Sequence, residues 1–143
     1  MFVHLRNIPT RLAAGGFILN SGLEKWRASE EQAKGVHAMA ASAYPVLAKV
    51  EPPTFLKALS VAEIATGAIV ALPIVPNKIA GAALTAFSGG LVGLYLRTPD
   101  LHKPGTILPN QAGTALSKDI WMLGIGVGLL AENSNGAPQT RVR

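Results

Sequence analysis

The sequence predicts an all-α fold: a polytopic membrane protein built as a four-transmembrane-helix bundle, with a short amphipathic helix between the first and second spans. Three observations carry the prediction. Of 143 residues, 49% are hydrophobic and 15% charged, against roughly 25% charged in ordinary soluble domains. The charges crowd into residues 24–57, leaving long apolar runs elsewhere. Those runs approach the ~20 residues that a helix needs to cross a hydrocarbon core, and polar or proline-bearing connections separate them. The length suits one domain over residues 1–131. A polar tail follows at 132–143, "ENSNGAPQTRVR", with the composition of a disordered segment.

The first span, about 8–25, is the least apolar. Its uncharged core, 12–23, is shorter than a bilayer is thick, so it must recruit Arg11 or residues upstream. A signal-peptide reading fails for want of an A-x-A cleavage site, and a retained helix is expected. Next, Val36, Met39, Ala40, Ala43, Tyr44 and Leu47 recur at helical spacing. They predict an amphipathic segment over 31–49, ending near Pro52–Pro53, that lies along the membrane interface or caps the bundle. The second span, about 55–75, carries Glu63. "PNK" at 76–78 reads as a tight turn, making the second and third spans antiparallel neighbours. The third, about 79–96, is free of charge between Lys78 and Arg97 and amounts to about 27 Å of helix. An irregular loop, "RTPDLHKPGTILPN" at 97–110, leads to the fourth span, about 111–131.

Lipid supplies no hydrophobic drive between helices, so close packing of small residues has to hold them together. Gly81, Thr85, Gly89 and Gly93 fall four apart on one face of the third span, and Gly124 and Gly128 do so on the fourth. These are the expected packing seams. Connectivity also sets the depth of the charges. Four spans put both termini on one side, and count Glu24, Lys25, Glu63, Lys118 and Asp119 into the opposite leaflet. Trp26, Trp121 and Tyr95 join them as an interfacial aromatic belt, and Arg11 is left at the other level. A charge at mid-bilayer costs ~2.5–3.5 kcal/mol on insertion scales, and pairing or snorkelling recovers part of that. Glu24, Lys25, Glu63, Lys118, Asp119 and Trp121 are therefore the candidate polar level: a latch between helix ends, a site for a ligand or partner, or a proton pathway.

Much chemistry is excluded. The chain has no cysteine, so thiol exchange, thiolate metal sites and disulfides are out. His4, His37 and His102 are scattered without metal-ligand spacing and read as solvated or interfacial. No serine sits in a G-x-S-x-G context, and "GIGVG" at 124–128 has no preceding strand to make it a nucleotide loop. The net charge of +5 comes with no basic run or interleaved aromatics, so nucleic acid is not the partner; anionic lipid headgroups account for it. No catalytic set and no metal site are predicted, and the chain is not expected to be an enzyme.

The chain resembles the DoxX/DoxD-like family of small four-helix membrane proteins, in an actinobacterial branch. In "RLAAGGFILNSGLEKW", Arg11, Gly15, Phe17, Gly22 and Lys25 fill the places of the family's first helix. "AEIATGAIVALPIVPNKIAG" is similar to its Glu-centred helix and basic turn, and "LSKDIWMLGIGVGLL" to its closing Lys-Asp-x-Trp-x-Leu helix. The resemblance covers about residues 11–131, and the insertion at 27–54 departs from the shortest members. It implies an accessory or scaffold subunit in the bacterial plasma membrane, working through another membrane protein or a homo-oligomer near quinone-linked respiratory chemistry. The chain would have no cofactor of its own, though quinone or lipid would be at hand. The runner-up is a small transporter or a lipid- or quinone-binding module that uses the charged level. Counting Lys and Arg places the far side in the cytoplasm, eight against five, whereas the resemblance implies cytoplasmic termini, the orientation favoured.

Overall fold

The computed structural model describes residues 5–132, so the predicted polar tail beyond Glu132 lies outside the described residues. Helix α1 spans Ile8–Trp26, α2 Glu30–Ala43, α3 Pro52–Ala71, α4 Asn77–Leu96, α5 Thr114–Ser117 and α6 Asp119–Ala131. The 3-10 turns Leu5–Asn7, Pro45–Lys49 and Pro99–Leu101 stand between or before them. The fold is all-helical, with no strand among the described residues. Three stretches are long and apolar enough to cross a membrane: Pro52–Ala71, Asn77–Leu96 and Thr114–Ala131. The α1 helix, with Arg11, Glu24 and Lys25 in its 19 residues, is not among them.

Proline sets most boundaries. Pro9 lies in the first turn of α1, and Pro52 and Pro53 open α3, where a missing N–H leaves no bond unmade. Helix α3 stops at Ala71, four residues before the predicted 75, because Leu72 precedes Pro73 and is driven extended (ψ 114°). Ser29 and Gln32 form a capping box at the start of α2. Tyr44, preceding Pro45, ends that helix, so the last part of the predicted 31–49 segment is a 3-10 turn.

The segment predicted as the fourth span is interrupted. Residues 111–113 are turn, and Lys118 separates α5 from α6. Thr114 and Ser117 hydroxyls donate to the carbonyls of Asn110 and Thr114, both at 2.9 Å, side-chain bonds of the kind that compete with a regular helix. The loop at 97–110 is ordered rather than irregular. Lys103 N–H donates to Leu108 O at 2.8 Å and Asn110 N–H to Leu101 O at 3.0 Å, around Gly105 at φ +72°. Tyr95, expected in the aromatic belt, is buried here; its hydroxyl donates to Ile107 O, and His102 packs edge-on against its ring.

The helices pack as two antiparallel pairs, α1 with α3 and α4 with α6. Helices α3 and α4, adjacent through their turn, do meet, but each has its closest partner elsewhere. In the first pair Gly15, Gly22 and Gly67 allow near backbone contact: a Cβ on Gly67 would lie 2.8 Å from Gly15 O, and one on Gly22 2.8 Å from Ile64 N. In the second, a Cβ on Gly81 would lie 2.8 Å from Gly126 O, and one on Gly126 2.8 Å from Thr85 N. On α4 the close approach is at Gly81 and Thr85 and fades toward Gly89, where an added Cβ would lie 4.0 Å from Leu123. Gly93 is covered by the Tyr44 hydroxyl instead of by α6. Gly124 and Gly128 are not in the seam; each faces open space. At 100° per residue, Gly126 lies some 200° around the helix from both, so one face excludes the other.

Near the α3–α4 turn the pairs close on a common core of Ala14, Ile18, Val70, Ala80, Leu84 and Leu129. At the other end α2 crosses α3 and α4, burying Ala33, Ala40 and Ala43. It caps the bundle, one of the two placements its amphipathic pattern allowed. Tyr44 fastens it by donating to Gly90 O at 2.8 Å, with Arg97 over the tyrosine ring. His37 bonds Leu47 O at 2.8 Å and packs on Phe55. Both His37 and His102 are half-buried structural groups, not solvated ones.

Candidate functional site

Beneath α2, between the two helix pairs, lies a cavity of about 890 Å³, within the ~300–1,000 Å³ of small-molecule pockets. Its walls are mostly apolar, with Ile18, Leu56, Phe87, Leu91 and Met122 among them. Charged groups enter from three helices: Glu24 and Lys25 from α1, Glu63 from α3 and Asp119 from α6.

Glu63 is 3% exposed. Lys25 Nζ lies 3.1 Å from its Oε2 and also donates to Ser21 Oγ at 2.8 Å. The approach of α1 makes this possible. A Cβ on Gly22 would lie 3.0 Å from Glu63 Cβ, and Ser60, one turn before Glu63, donates to Gly22 O at 2.7 Å. A buried carboxylate at this depth requires a partner, and the glycine contact brings one within reach. Asp119, the half-buried first residue of α6, lines the same cavity.

Of the six residues of the predicted polar level, four border the cavity and two do not. Lys118 is exposed and Trp121 is 68% exposed, both away from the lining. With Asp119 turned inward, a neighbour one residue back and another two residues on must point elsewhere. Lys118 therefore gives Glu63 no charge, and Trp121 belongs to the outer face. Glu24 sits exposed at the rim, accepting from Asn20 at 3.1 Å. Trp26, also outward, carries the Lys57 ammonium 3.9 Å above its ring.

A second polar cluster closes the opposite end, and sequence reasoning gave it no role. Arg11 is 3% exposed and donates five hydrogen bonds: to the carbonyls of Ile69, Val70, Leu72 and Val75 and to Asn77 Oδ1, at 2.7–3.2 Å. The Ile69 and Val70 carbonyls are ones that α3 leaves without helical partners where it ends, and Leu72 and Val75 stand in the turn beyond it. The proline-broken turn and an arginine in an otherwise apolar run were the available signal. Glu132, just past α6, accepts from Arg6, Asn7 and Asn77. Burial by itself pushes its carboxyl upward, but those hydrogen bonds and the Arg6 charge outweigh it and hold the group below the usual carboxylate range.

Comparison with models of known protein families, with curated proteins and with solved structures found no match.

Proposed function

We propose that this protein is a four-span membrane protein that binds a hydrophobic small molecule of the bilayer, a lipid or a quinone, in the cavity between its helix pairs. The cavity is the observation that carries the reading: a well-packed four-helix bundle leaves no void of that size, and this one ends on a polar cluster that can orient a headgroup. Entry from lipid is supported by the wall between α1 and α6. The close helix pairings are α1 with α3 and α4 with α6, not α1 with α6, and Phe17, a lining residue of α1, is 69% exposed. Crossing of the membrane by α1 is supported by its pairing with α3 along its length and by the five bonds that neutralise the burial of Arg11.

Mass analysis of organic extracts from the pure protein tests the reading. A lipid or quinone is expected to co-purify and to be lost in Gly90→Phe, which projects a ring from a cavity-lining position with nothing within 4 Å of the new Cβ. Wild-type protein empty of any such molecule, or a variant that retains it, would refute the cavity as a binding site.

A second reading, the accessory subunit of a quinone-linked complex in the bacterial plasma membrane that the DoxX-like resemblance implies, is favoured by α6. Gly124 and Gly128 form a bare small-residue face there, of the kind on which transmembrane helices associate. A partner protein or a homo-oligomer retained through extraction in mild detergent is its expected signature. A monomer under the gentlest extraction would exclude it.

A further inference from the structure

Resting on the cavity reading above, we infer that the cavity selects amphiphiles whose headgroup is a protonated amine. Three carboxylates and one ammonium border it: Glu24, Glu63 and Asp119 against Lys25. Every other lining side chain is uncharged, so with these groups ionised the polar end carries a formal charge of −2. Lys25 is already engaged, donating to both Ser21 and Glu63. An anionic head would meet Glu24 and Asp119 with little free ammonium to receive it.

The acceptors left over are placed for a cation. Glu63 is 3% exposed, and Lys25 bonds one of its oxygens, Oε2. The other, Oε1, has no hydrogen-bond partner among the described residues, yet the side chain lines the cavity. Asp119 makes no hydrogen bond or ion pair among the described residues and lines the cavity too. Ionised carboxylates only accept, so an ammonium N–H supplies what both lack. At Glu63, which is almost wholly buried, that attraction is far stronger than at an exposed surface. The aromatic rings of Phe17, Phe55 and Phe87 line the walls beside the apolar tail's path, and ring faces attract a passing cation as well.

Competition in nanodiscs of zwitterionic phosphatidylcholine tests this on the full chain, with an uncharged solvatochromic dye as the displaced probe. Three competitors share a tail and differ in the head: dodecyldimethylamine, protonated at about pH 7, dodecanol and dodecanoate. Decylubiquinone serves as a fourth. The amine is expected to displace the dye at about tenfold lower concentration than dodecanol, with dodecanoate weakest. Asp119→Asn and Glu63→Gln should each reduce that preference to within about twofold. If Glu63→Gln does not fold, Asp119→Asn decides alone.

Equal competition by amine and alcohol, a preference for dodecanoate, or an amine preference that survives Asp119→Asn would overturn the inference. Displacement by decylubiquinone without amine selectivity would overturn it while the cavity reading stands. Dye binding that Gly90→Phe leaves intact would remove both.

Discussion

Arg11 and Glu63 show how single buried charges set the terms of this structure. Each is 3% exposed, and they sit at opposite ends of the α1–α3 pair. Arg11 meets a helix end whose carbonyls need donors, so one side chain satisfies two sets of groups. We expect Arg11→Met to lower stability by about 2–4 kcal/mol, read by titrating the folded protein with SDS in mild-detergent micelles. A loss below about 0.5 kcal/mol would show that its five bonds are replaceable by water. Glu63 and Lys25 form a partly buried pair whose coupling belongs to a double-mutant cycle. With Glu63→Gln, Lys25→Met and the double variant, about 1–3 kcal/mol of coupling is expected; additivity would mean that the two charges are solvated independently. At this scale the sequence was partly legible. Glu63, Lys25 and Asp119 stood out as charges in apolar runs; counting four predicted spans put them at one level, and all three border the cavity. Lys118 and Trp121 could not be assigned, because adjacent helical residues point 100° apart and only the packed neighbour decides which one turns inward.

Helix termini were well marked, by prolines and by the Ser29–Gln32 box, since these act through local backbone geometry. Helix partners were not. A short turn made α3 and α4 neighbours in sequence, but the closest approaches are α1 on α3 and α4 on α6. They occur where glycines on both sides let backbones meet. The motif "GIGVG" offers two opposing small faces, 124/128 and 126, and either would serve as a seam. Contact with Thr85 and Gly81 selects Gly126. Gly126→Val should cost about 1–3 kcal/mol by overpacking, while Gly124→Val and Gly128→Val should stay within about 0.5 kcal/mol in the same SDS titration. The reverse order would assign α6 the opposite face.

For the molecule as a whole, the consequence of pairing is a bundle closed at one end and hollow at the other. The core of Ala14, Val70, Ala80 and Leu129 joins the pairs near the α3–α4 turn, and α2 roofs the space that remains. Because the chain lacks cysteine, its transmembrane layout can be tested with single introduced thiols and a membrane-impermeant reagent. Four crossings predict that Leu5→Cys and Ile74→Cys label from one side, and Arg27→Cys and Thr106→Cys from the other. Leu5→Cys labelling together with Arg27→Cys would mean that α1 does not cross. Composition, apolar run length and proline placement alone determined an all-helical chain with membrane-length segments, because each depends on residues close in sequence. Which helices pair, which glycine face is buried, what Arg11 holds and where the cavity lies were decided only in three dimensions. The reason is that these depend on the rotation of one helix against another, which local periodicity leaves free when apolar and small residues cover every side.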